Sequence, residues 1–297
     1  MFWGTCVMKK SLLFILLLGM LSVCAQSYPT ARTLVLRPGE QRVSHPRKVA
    51  LSGKDDRQDI TGKAVGIERA AVILEVETAE GTMLCSGAMV DVDIVLTAAH
   101  CLSKDGKYHE KVTVFAVGGP SKTSQKATPN SSKAAKLLST LPSNKGIESI
   151  ELWVPDKYLE LSVTDPDKAD NYDYGLVILS KSLGEQTGYF KLYPKSNEEL
   201  ANIQEIIILG RDIKQRRYSL WEGKGRIKSI SSFHFHHNVD SRVGNSGGPV
   251  LDADDPFGII AIHTLSYGED EQEEGSFPNA ALRIRPEIVN VVNTFRR

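Results

Sequence analysis

Short hydrophobic runs separated by Gly, Pro, Asn and Asp recur along the chain from residue 71 onward. Runs of this length between turn-forming residues are typical of β-strands, whereas core helices need longer runs with a period near 3.6. The pattern therefore predicts an all-β protein. The predicted strands are 71–76, 94–97, 112–117, 148–154, 175–179, 205–209, 225–230, 249–251 and 257–263.

Two segments depart from this pattern. Near the C-terminus, an apolar face at helical spacing predicts an α-helix, and it comprises Ile288, Val291, Val292 and Phe295. Residues 119–146 are rich in Ser, Lys, Asn and Pro, which predicts a long surface loop with a short helix at 132–138.

The N-terminus has the features of an export signal. Lys9 and Lys10 precede an apolar stretch at 12–21 that is too short to span a bilayer, and small residues lead up to Gln26. We therefore predict a signal peptide at 1–25 and an exported protein that is secreted, periplasmic or at the cell surface.

The segment after this signal differs from the rest of the chain. The proline-punctuated, basic stretch 26–48 lacks periodic apolar residues and is predicted to be a pro-segment, which leaves a mature domain at 49–297. A lipoprotein acylated at Cys24 is the alternative, but Val23 fits poorly just before such a cysteine.

Composition narrows the classes of partner. With 41% hydrophobic and 24% charged residues, the chain is typical of soluble globular proteins. The 36 basic and 36 acidic residues cancel, so the overall charge does not favour nucleic acid or an anionic membrane. We expect a monomer that needs no cofactor or metal and has no membrane span.

The four cysteines reduce to one pair after export. Cys6 and Cys24 are lost with the predicted signal peptide, which leaves Cys85 and Cys101. In an oxidising compartment we expect a disulfide between them, next to His100; two free, buried thiols are the alternative.

The stretch 243–250, Val-Gly-Asn-Ser-Gly-Gly-Pro-Val, predicts a catalytic nucleophile. A serine on a tight turn between small residues exposes its hydroxyl, here that of Ser246. The backbone N–H groups of Gly244 and Ser246 can point at one oxygen, as in an oxyanion hole. An ordinary glycine-rich turn is the alternative.

Two other stretches supply the partners that such a serine needs. An apolar strand at 94–97 leads into His100, and Asp173 precedes the buried strand 175–179. An imidazole takes the proton of the serine hydroxyl, and a carboxylate fixes the tautomer of the imidazole and stabilises its charge. The chain order His, Asp, Ser is that of the chymotrypsin-type double barrel.

Four stretches resemble the secreted bacterial glutamyl endopeptidases of the staphylococcal type, which belong to the chymotrypsin clan of serine proteases. They are the predicted mature start with its Asp-Arg loop (49–58), the Gly-Thr…Ser-Gly hairpin (81–87), the Trp-Glu stretch (220–227) and the strand ending in His263 (260–263). The resemblance covers nearly all of 49–297. It implies two six-stranded antiparallel β-barrels, with His100 and Asp173 in the first and Ser246 in the second.

The resemblance also implies a specificity for protein or peptide substrates cleaved after Glu or Asp. In these enzymes a histidine matching His263 and a hydroxyl residue matching Ser241 bind the acidic side chain of the substrate. The free amino group of the first mature residue, here Val49, assists them. Imidazole, hydroxyl and ammonium supply the donors and the positive charge that a carboxylate needs.

Three features depart from the glutamyl pattern. Asp240 stands six residues before Ser246, where trypsin-like enzymes carry the aspartate that accepts Arg or Lys, so basic specificity is the alternative. Thr264-Leu265-Ser266 replaces Trp-Gly-Gly, which places Ser266 in an altered pocket wall. The acidic run 269–274 is interpreted as a solvated loop.

Activation is expected to differ from that of trypsin-like zymogens. Asn245 occupies the position of the aspartate that receives the new N-terminus in those zymogens, so their ion pair is not available here. A protease that cuts after Lys48 would instead free Val49.

Two further alternatives concern other functions. His234 and His236 share one strand face, which is compatible with a metal site, but no third ligand at suitable spacing accompanies them. We interpret both as structural or solvent-facing. A catalytically inert, protease-fold binding protein is disfavoured because His100, Asp173 and Ser246 are all present.

Overall fold

The structure is a computed structural model that describes residues 55–61, 63–117, 146–212, 219–266 and 279–296. The predicted signal peptide, pro-segment, Val49 and acidic run 269–274 lie outside these ranges. The predicted loop 119–146 and its short helix also lie outside them, apart from Gly146.

Strands dominate the described part of the chain, as the sequence predicts. In chain order they are β1 (Gln58–Asp59), β2 (Ala71–Thr78), β3 (Gly81–Met89), β4 (Ile94–Thr97), β5 (Ser103–Lys104), β6 (Lys107–Tyr108), β7 (Lys111–Ala116), β8 (Ile147–Trp153), β9 (Gly175–Leu179), β10 (Lys191–Leu192), β11 (Ile206–Arg211), β12 (Leu220–Gly225), β13 (Ile227–Ile230), β14 (His234–His237), β15 (Pro249–Asp252), β16 (Asp255–Ser266) and β17 (Asn279–Arg283).

Six of these strands close into an antiparallel barrel in the order β2-β3-β4-β9-β8-β7. The central pair, β4 and β9, is buried along its whole length and runs in register from Ile94↔Ile178 to Thr97↔Gly175. Apolar runs without polar alternation match this full burial. The pair matters for the site because β4 leads into residues 98–102 and β9 begins just after Asp173.

The second half of the protein is a nine-stranded sheet in the order β1-β12-β11-β15-β16-β17-β14-β13, with β10 beside β16. The strand order from β12 to β13 begins and ends on the same stretch of chain, because only Arg226 separates these two strands. The sheet therefore curves round to this shared stretch and has six strand positions. Strands β1 and β10 are added at its edges. The predicted double-barrel architecture is confirmed.

Helices are few and short. They are α1 (Asp156–Thr164), α2 (Pro166–Ala169), α3 (Gly184–Thr187), α4 (Asn197–Ala201) and α5 (Pro286–Phe295), with 3-10 helices at Gly66–Ala70, Ala99–Cys101 and Asp170–Tyr172.

The C-terminal helix α5 confirms the helical prediction for this part of the sequence. Proline in its first turn favours helix initiation, and Ile288 and Val292 are buried against the core. The Phe295 ring packs 6.0 Å from that of Trp153 in β8. None of the helices in the described ranges is long and apolar enough to cross a bilayer.

Candidate active site

His100 lies in a short 3-10 helix that directly follows β4. The small residues Ala98 and Ala99 are completely buried, which lets the chain leave the sheet while staying packed against the first barrel. The Cys101 N–H closes the turn by donating to Ala98 O at 3.1 Å. The His100 side chain is 12% exposed, so its imidazole is largely shielded but reaches the surface.

Asp173 follows the 3-10 helix Asp170–Tyr172 and is completely buried. Its Oδ2 lies 2.7 Å from His100 Nδ1, and its Oδ1 accepts the His100 backbone N–H at 2.9 Å. Because an ionised carboxylate can only accept, Nδ1 carries a proton and Nε2 is the basic nitrogen. This tautomer is the one that base catalysis by a histidine requires.

A disulfide joins Cys85 of β3 to Cys101, as predicted, across 16 positions of sequence. Both sulfurs and a ring nitrogen of His100 lie within 4.8 Å of one another. Because the sulfurs are bonded to each other, they are not thiolate ligands for a metal. The disulfide instead ties the histidine segment to the neighbouring strand.

The turn that carries Ser246 is docked on the first barrel through Ser86. The Ser86 N–H donates to Ser246 O at 2.8 Å, and its hydroxyl donates to Gly244 O at 2.6 Å. Ser86 directly follows Cys85, which is bonded to Cys101 beside the catalytic histidine candidate. Two hydrogen bonds from Ser86 and one disulfide therefore connect the serine turn to the histidine segment.

Gly247 brings the same turn against the end of β4. Its φ is +80°, and a Cβ at this position would overlap Thr97 Oγ1 and Ser86 O. Only glycine combines this backbone conformation with such close packing. The serine turn therefore contacts the strand that leads into His100, which explains the glycine after Ser246.

The backbone N–H groups of Gly244 and Ser246 have the character expected of an oxyanion hole. Neither group donates a hydrogen bond to another group in the described part of the protein. The φ of Gly244 is +102°, a value that glycine tolerates without strain. Two available N–H donors on one turn can stabilise a developing negative charge.

His263 of β16 lies beside a second buried histidine, His237, which was not among the predicted site residues. His263 Nδ1 is 3.3 Å from His237 Nε2, and the Val239 N–H donates to His237 Nδ1 at 3.2 Å. The bond from Val239 leaves the His237 proton on Nε2, which donates to His263 Nδ1. Neutral His263 then carries its own proton on Nε2.

Burial keeps His237 uncharged. The side chain is completely enclosed, and this desolvation, together with the nearby His263 and His236, lowers the pKa of His237 well below its ordinary value. The direction of the hydrogen bonds from Val239 to His263 is therefore maintained at neutral pH. As a result, His263 Nε2 is a hydrogen-bond donor.

Ser241 and Asp240 have partners within the protein. The Ser241 hydroxyl donates to Asn279 Oδ1 at 2.7 Å, and the amide of Asn279 donates to Val239 O at 2.8 Å. The buried carboxylate of Asp240 accepts the backbone N–H of Asp56 at 3.3 Å. The side chain of Asp240 therefore contacts the N-terminal segment of the described domain.

Two other residues of the predicted pocket lie wholly or partly outside the described residues. The backbone of Ser266 pairs with Asn279 at the end of β16, and its side chain lies outside the described residues. Val49 lies outside them entirely, so its predicted contribution to the pocket stays a prediction.

The two histidines that were considered as metal ligands both have protein partners. His234 Nε2 donates to Asp170 O at 3.1 Å, and His236 Nδ1 lies 3.0 Å from Ser229 Oγ. Burial lowers the pKa of His234 to about 4, although the Asp173 charge acts in the opposite direction. Neutral His234 therefore braces, from the second barrel, the helix that precedes Asp173.

Sequence comparison finds that the chain is similar to known proteases. Glutamyl endopeptidases of Staphylococcus aureus strains MW2 and MSSA476 are 25% identical over 228 residues, or 77% of this chain. The match covers 60% and 59% of those relatives, so this chain spans less than two thirds of their length.

Solved structures show the same fold at low sequence identity. A Glu endopeptidase in complex with MPD aligns with a TM-score of 0.61 at 19% identity, covering 82% of this chain and 98% of that one. HL collagenase aligns with a TM-score of 0.56 at 14% identity, covering 82% and 100%. The sequence profile of the trypsin family matches residues 61–288. Because this match covers most of its length, the chain belongs to the trypsin family of serine proteases.

Proposed function

We propose that this protein is a serine endopeptidase that cleaves peptide bonds after Glu or Asp. One observation carries the proposal: the completely buried Asp173 holds His100 in the basic tautomer, next to the segment on which the serine turn is docked. Membership of the trypsin family supports a peptidase, and the glutamyl endopeptidases among its relatives support the acidic specificity.

The reaction is acyl transfer in two halves. Ser246 Oγ attacks the substrate carbonyl while His100 Nε2 takes the hydroxyl proton, and the N–H groups of Gly244 and Ser246 bind the oxyanion. His100 returns the proton to the leaving amine as the C–N bond breaks, which leaves an ester on Ser246. Water then attacks this ester, again with His100 as base, and releases the acid product.

His263 supplies the principal contact to the acidic side chain of the substrate. The hydrogen bonds from Val239 through His237 keep a proton on His263 Nε2, so a substrate carboxylate receives a neutral donor. A buried carboxylate needs such donors, and the ammonium of Val49 adds positive charge. Ser241 lines this pocket, with its own hydroxyl proton directed to Asn279.

Basic specificity through Asp240 has less support. An aspartate that accepts Arg or Lys must direct its carboxylate into the pocket. The carboxylate of Asp240 instead accepts a backbone hydrogen bond from Asp56. We therefore assign Asp240 a structural role in holding the N-terminal segment.

We also propose that the protein acts outside the cytoplasm. The Cys85–Cys101 disulfide persists in oxidising compartments, in agreement with the predicted signal peptide at 1–25. Removal of residues 26–48 by a protease that cuts after Lys48 would then give the mature enzyme, which we expect to act as a monomer.

Replacement of His263 tests the acidic specificity. His263→Ala should lower kcat/KM for a Glu substrate by about 10–150-fold relative to the matched Gln substrate, since a hydrogen bond to a charged group contributes about 1.5–3 kcal/mol. The ratio of the two kcat/KM values is the readout, because partial unfolding lowers both values equally.

His236→Ala is the matched control, since this neighbouring histidine contacts Ser229 rather than His263. It should leave the Glu-to-Gln ratio of the wild type unchanged. An equal fall for both substrates in the His263 variant would contradict the assignment of His263 to the acidic side chain.

A further inference from the structure

A buried ionic cluster lies next to the serine turn, and neither the reaction nor the specificity pocket uses it. Its members are Asp55, Arg57, Asp212, Arg242 and Asn245. The side chains of Arg57 and Asp212 are 1% and 3% exposed, so this cluster is part of the protein interior.

Arg57 is the centre of this cluster. Its guanidinium binds Asp55 in a bidentate manner, with Nε and Nη2 each 2.9 Å from a carboxylate oxygen. Nη2 also donates to Asp212 Oδ2 at 2.7 Å, and the guanidinium lies 5.5 Å from the centre of the Trp221 ring. The planar fork of arginine is suited to such simultaneous contacts, and lysine could not make all of them.

The third guanidinium nitrogen of Arg57 contacts Asn245, the residue directly before Ser246. Nη1 donates to Asn245 Oδ1 at 3.2 Å, across 188 positions of sequence. Asn245 Oδ1 also accepts the Arg242 N–H at 2.7 Å. A Cβ on Gly210 would overlap the amide of Asn245, so this side chain is packed closely against β11.

The backbone of Asn245 fixes the conformation of the serine turn. Its N–H donates to Arg242 O at 3.0 Å, and its carbonyl accepts the Gly248 N–H at 2.9 Å. These bonds hold the backbone on both sides of Ser246. The orientation of the Asn245 side chain and that of the two N–H donors at Gly244 and Ser246 are therefore coupled.

The carboxylates of the cluster stabilise the cationic form of Arg57. Burial alone would lower the pKa of Arg57, but the hydrogen bonds and charges of Asp55 and Asp212 raise it above its ordinary value. The same contacts lower the pKa of Asp55. A buried guanidinium with these partners is a fixed element of the fold.

We propose that Arg57 is a positioning residue that holds the oxyanion hole in its catalytic shape through Asn245. The inference rests on the proposed function. Arg57, held in place by Asp55 and Asp212, then orders the serine turn. No newly freed N-terminus is needed for this role. Trypsin-like zymogens use that terminus with an aspartate at the Asn245 position, and this chain has no carboxylate there.

The test compares Arg57→Ala and Arg57→Lys with the wild type, using the full chain expressed for export. The rate of labelling by a fluorophosphonate reports the reactivity of Ser246. We expect Arg57→Ala to slow labelling and kcat by about 100-fold, as for the loss of one oxyanion-hole donor. The Glu-to-Gln preference should not change, and low concentrations of guanidinium ion should partly restore labelling.

Arg283→Ala is the matched control for loss of a buried arginine. Arg283 lies in β17 of the second barrel and donates to Asn197 Oδ1 at 2.7 Å and to Lys195 O at 2.9 Å, away from the serine turn. The Arg283→Ala variant should be labelled by the fluorophosphonate at the wild-type rate. Amide hydrogen exchange in 242–248, measured by mass spectrometry, should be faster in both Arg57 variants than in this control.

The outcomes separate this inference from the proposed function. The role of Arg57 would be overturned if both Arg57 variants showed wild-type rates of labelling and exchange, or changes no larger than those in Arg283→Ala. The assignment of the protein as a serine peptidase would not be affected by that result. A wild type that is not labelled after removal of residues 26–48 would overturn the proposed function. The exchange measurement would then still decide whether Arg57 holds the turn.

Discussion

Replacing Ser246 with alanine should lower kcat by about a million-fold, the loss seen when a serine protease loses its nucleophile. Alanine keeps the backbone carbonyl that accepts the Ser86 N–H, so the turn and the melting temperature should be retained. Substrate binding uses other groups, so KM should change little. Hydrolysis of a Glu-containing peptide, followed alongside thermal unfolding, checks both expectations.

Ser231→Ala is a suitable comparison, because the substitution removes only a hydroxyl that bonds with the backbone of the nearby His234. It should retain full activity and full labelling by a fluorophosphonate. The label in the wild type should map to Ser246 by peptide mass spectrometry. Substantial hydrolysis by the Ser246→Ala variant would remove Ser246 from the mechanism.

Asp173→Asn is expected to lower kcat by about 10⁴-fold. Asp173 accepts two hydrogen bonds from His100, one from the backbone N–H and one from Nδ1. An amide has one oxygen, so its NH₂ group would face one of these donors. If it faces Nδ1, the imidazole shifts its proton to Nε2 and can no longer take the proton of Ser246.

The nearby Asp170→Asn variant controls for loss of a carboxylate in the 3-10 helix that precedes Asp173. Asparagine has nearly the same shape as aspartate, and the substitution retains the backbone carbonyl of Asp170, which accepts hydrogen bonds from His234 Nε2 and from the Asp173 N–H. It should keep kcat close to that of the wild type. Comparable kcat values for the Asp173 and Asp170 variants would show that Asp173 has no special role in orienting His100.

The three candidate catalytic residues could be recognised in the sequence because each lies in a short stretch with readable local chemistry. The glycines around Ser246 were informative since Gly244 and Gly247 adopt φ values that other residues avoid. The apolar strands before His100 and after Asp173 were equally clear, and β4 and β9 have the predicted bounds.

Some local elements escaped prediction because their signals are short. Helix α1 is nine residues long but buries only Tyr158 and Leu161, so its apolar pattern is too short to predict a helix. Strand β17 consists mainly of small residues, and its sequence Asn-Ala-Ala-Leu-Arg does not distinguish a strand from other structures. Both elements depend on tertiary packing rather than on a local pattern.

The contacts of His237 and Arg57 could not be predicted, because the order of strands in the second barrel creates them. Strand β17 lies between β14 and β16, and its small Ala281 pairs with both Phe235 and His263. The imidazoles of His237 and His263 therefore meet, 5.4 Å apart between ring centres. A sequence pattern gives residue types and spacing, whereas these contacts need the register of three strands.

A map of cleavage sites, made with the processed protein on a mixed peptide library, would decide the specificity and the activity together. We predict cuts after Glu, with some after Asp, and none from the Ser246→Ala variant under the same conditions. Cuts after Lys or Arg would contradict the acidic pocket at His263 and assign Asp240 to substrate binding. No cuts at all by the wild type would contradict the assignment of this chain as an active peptidase.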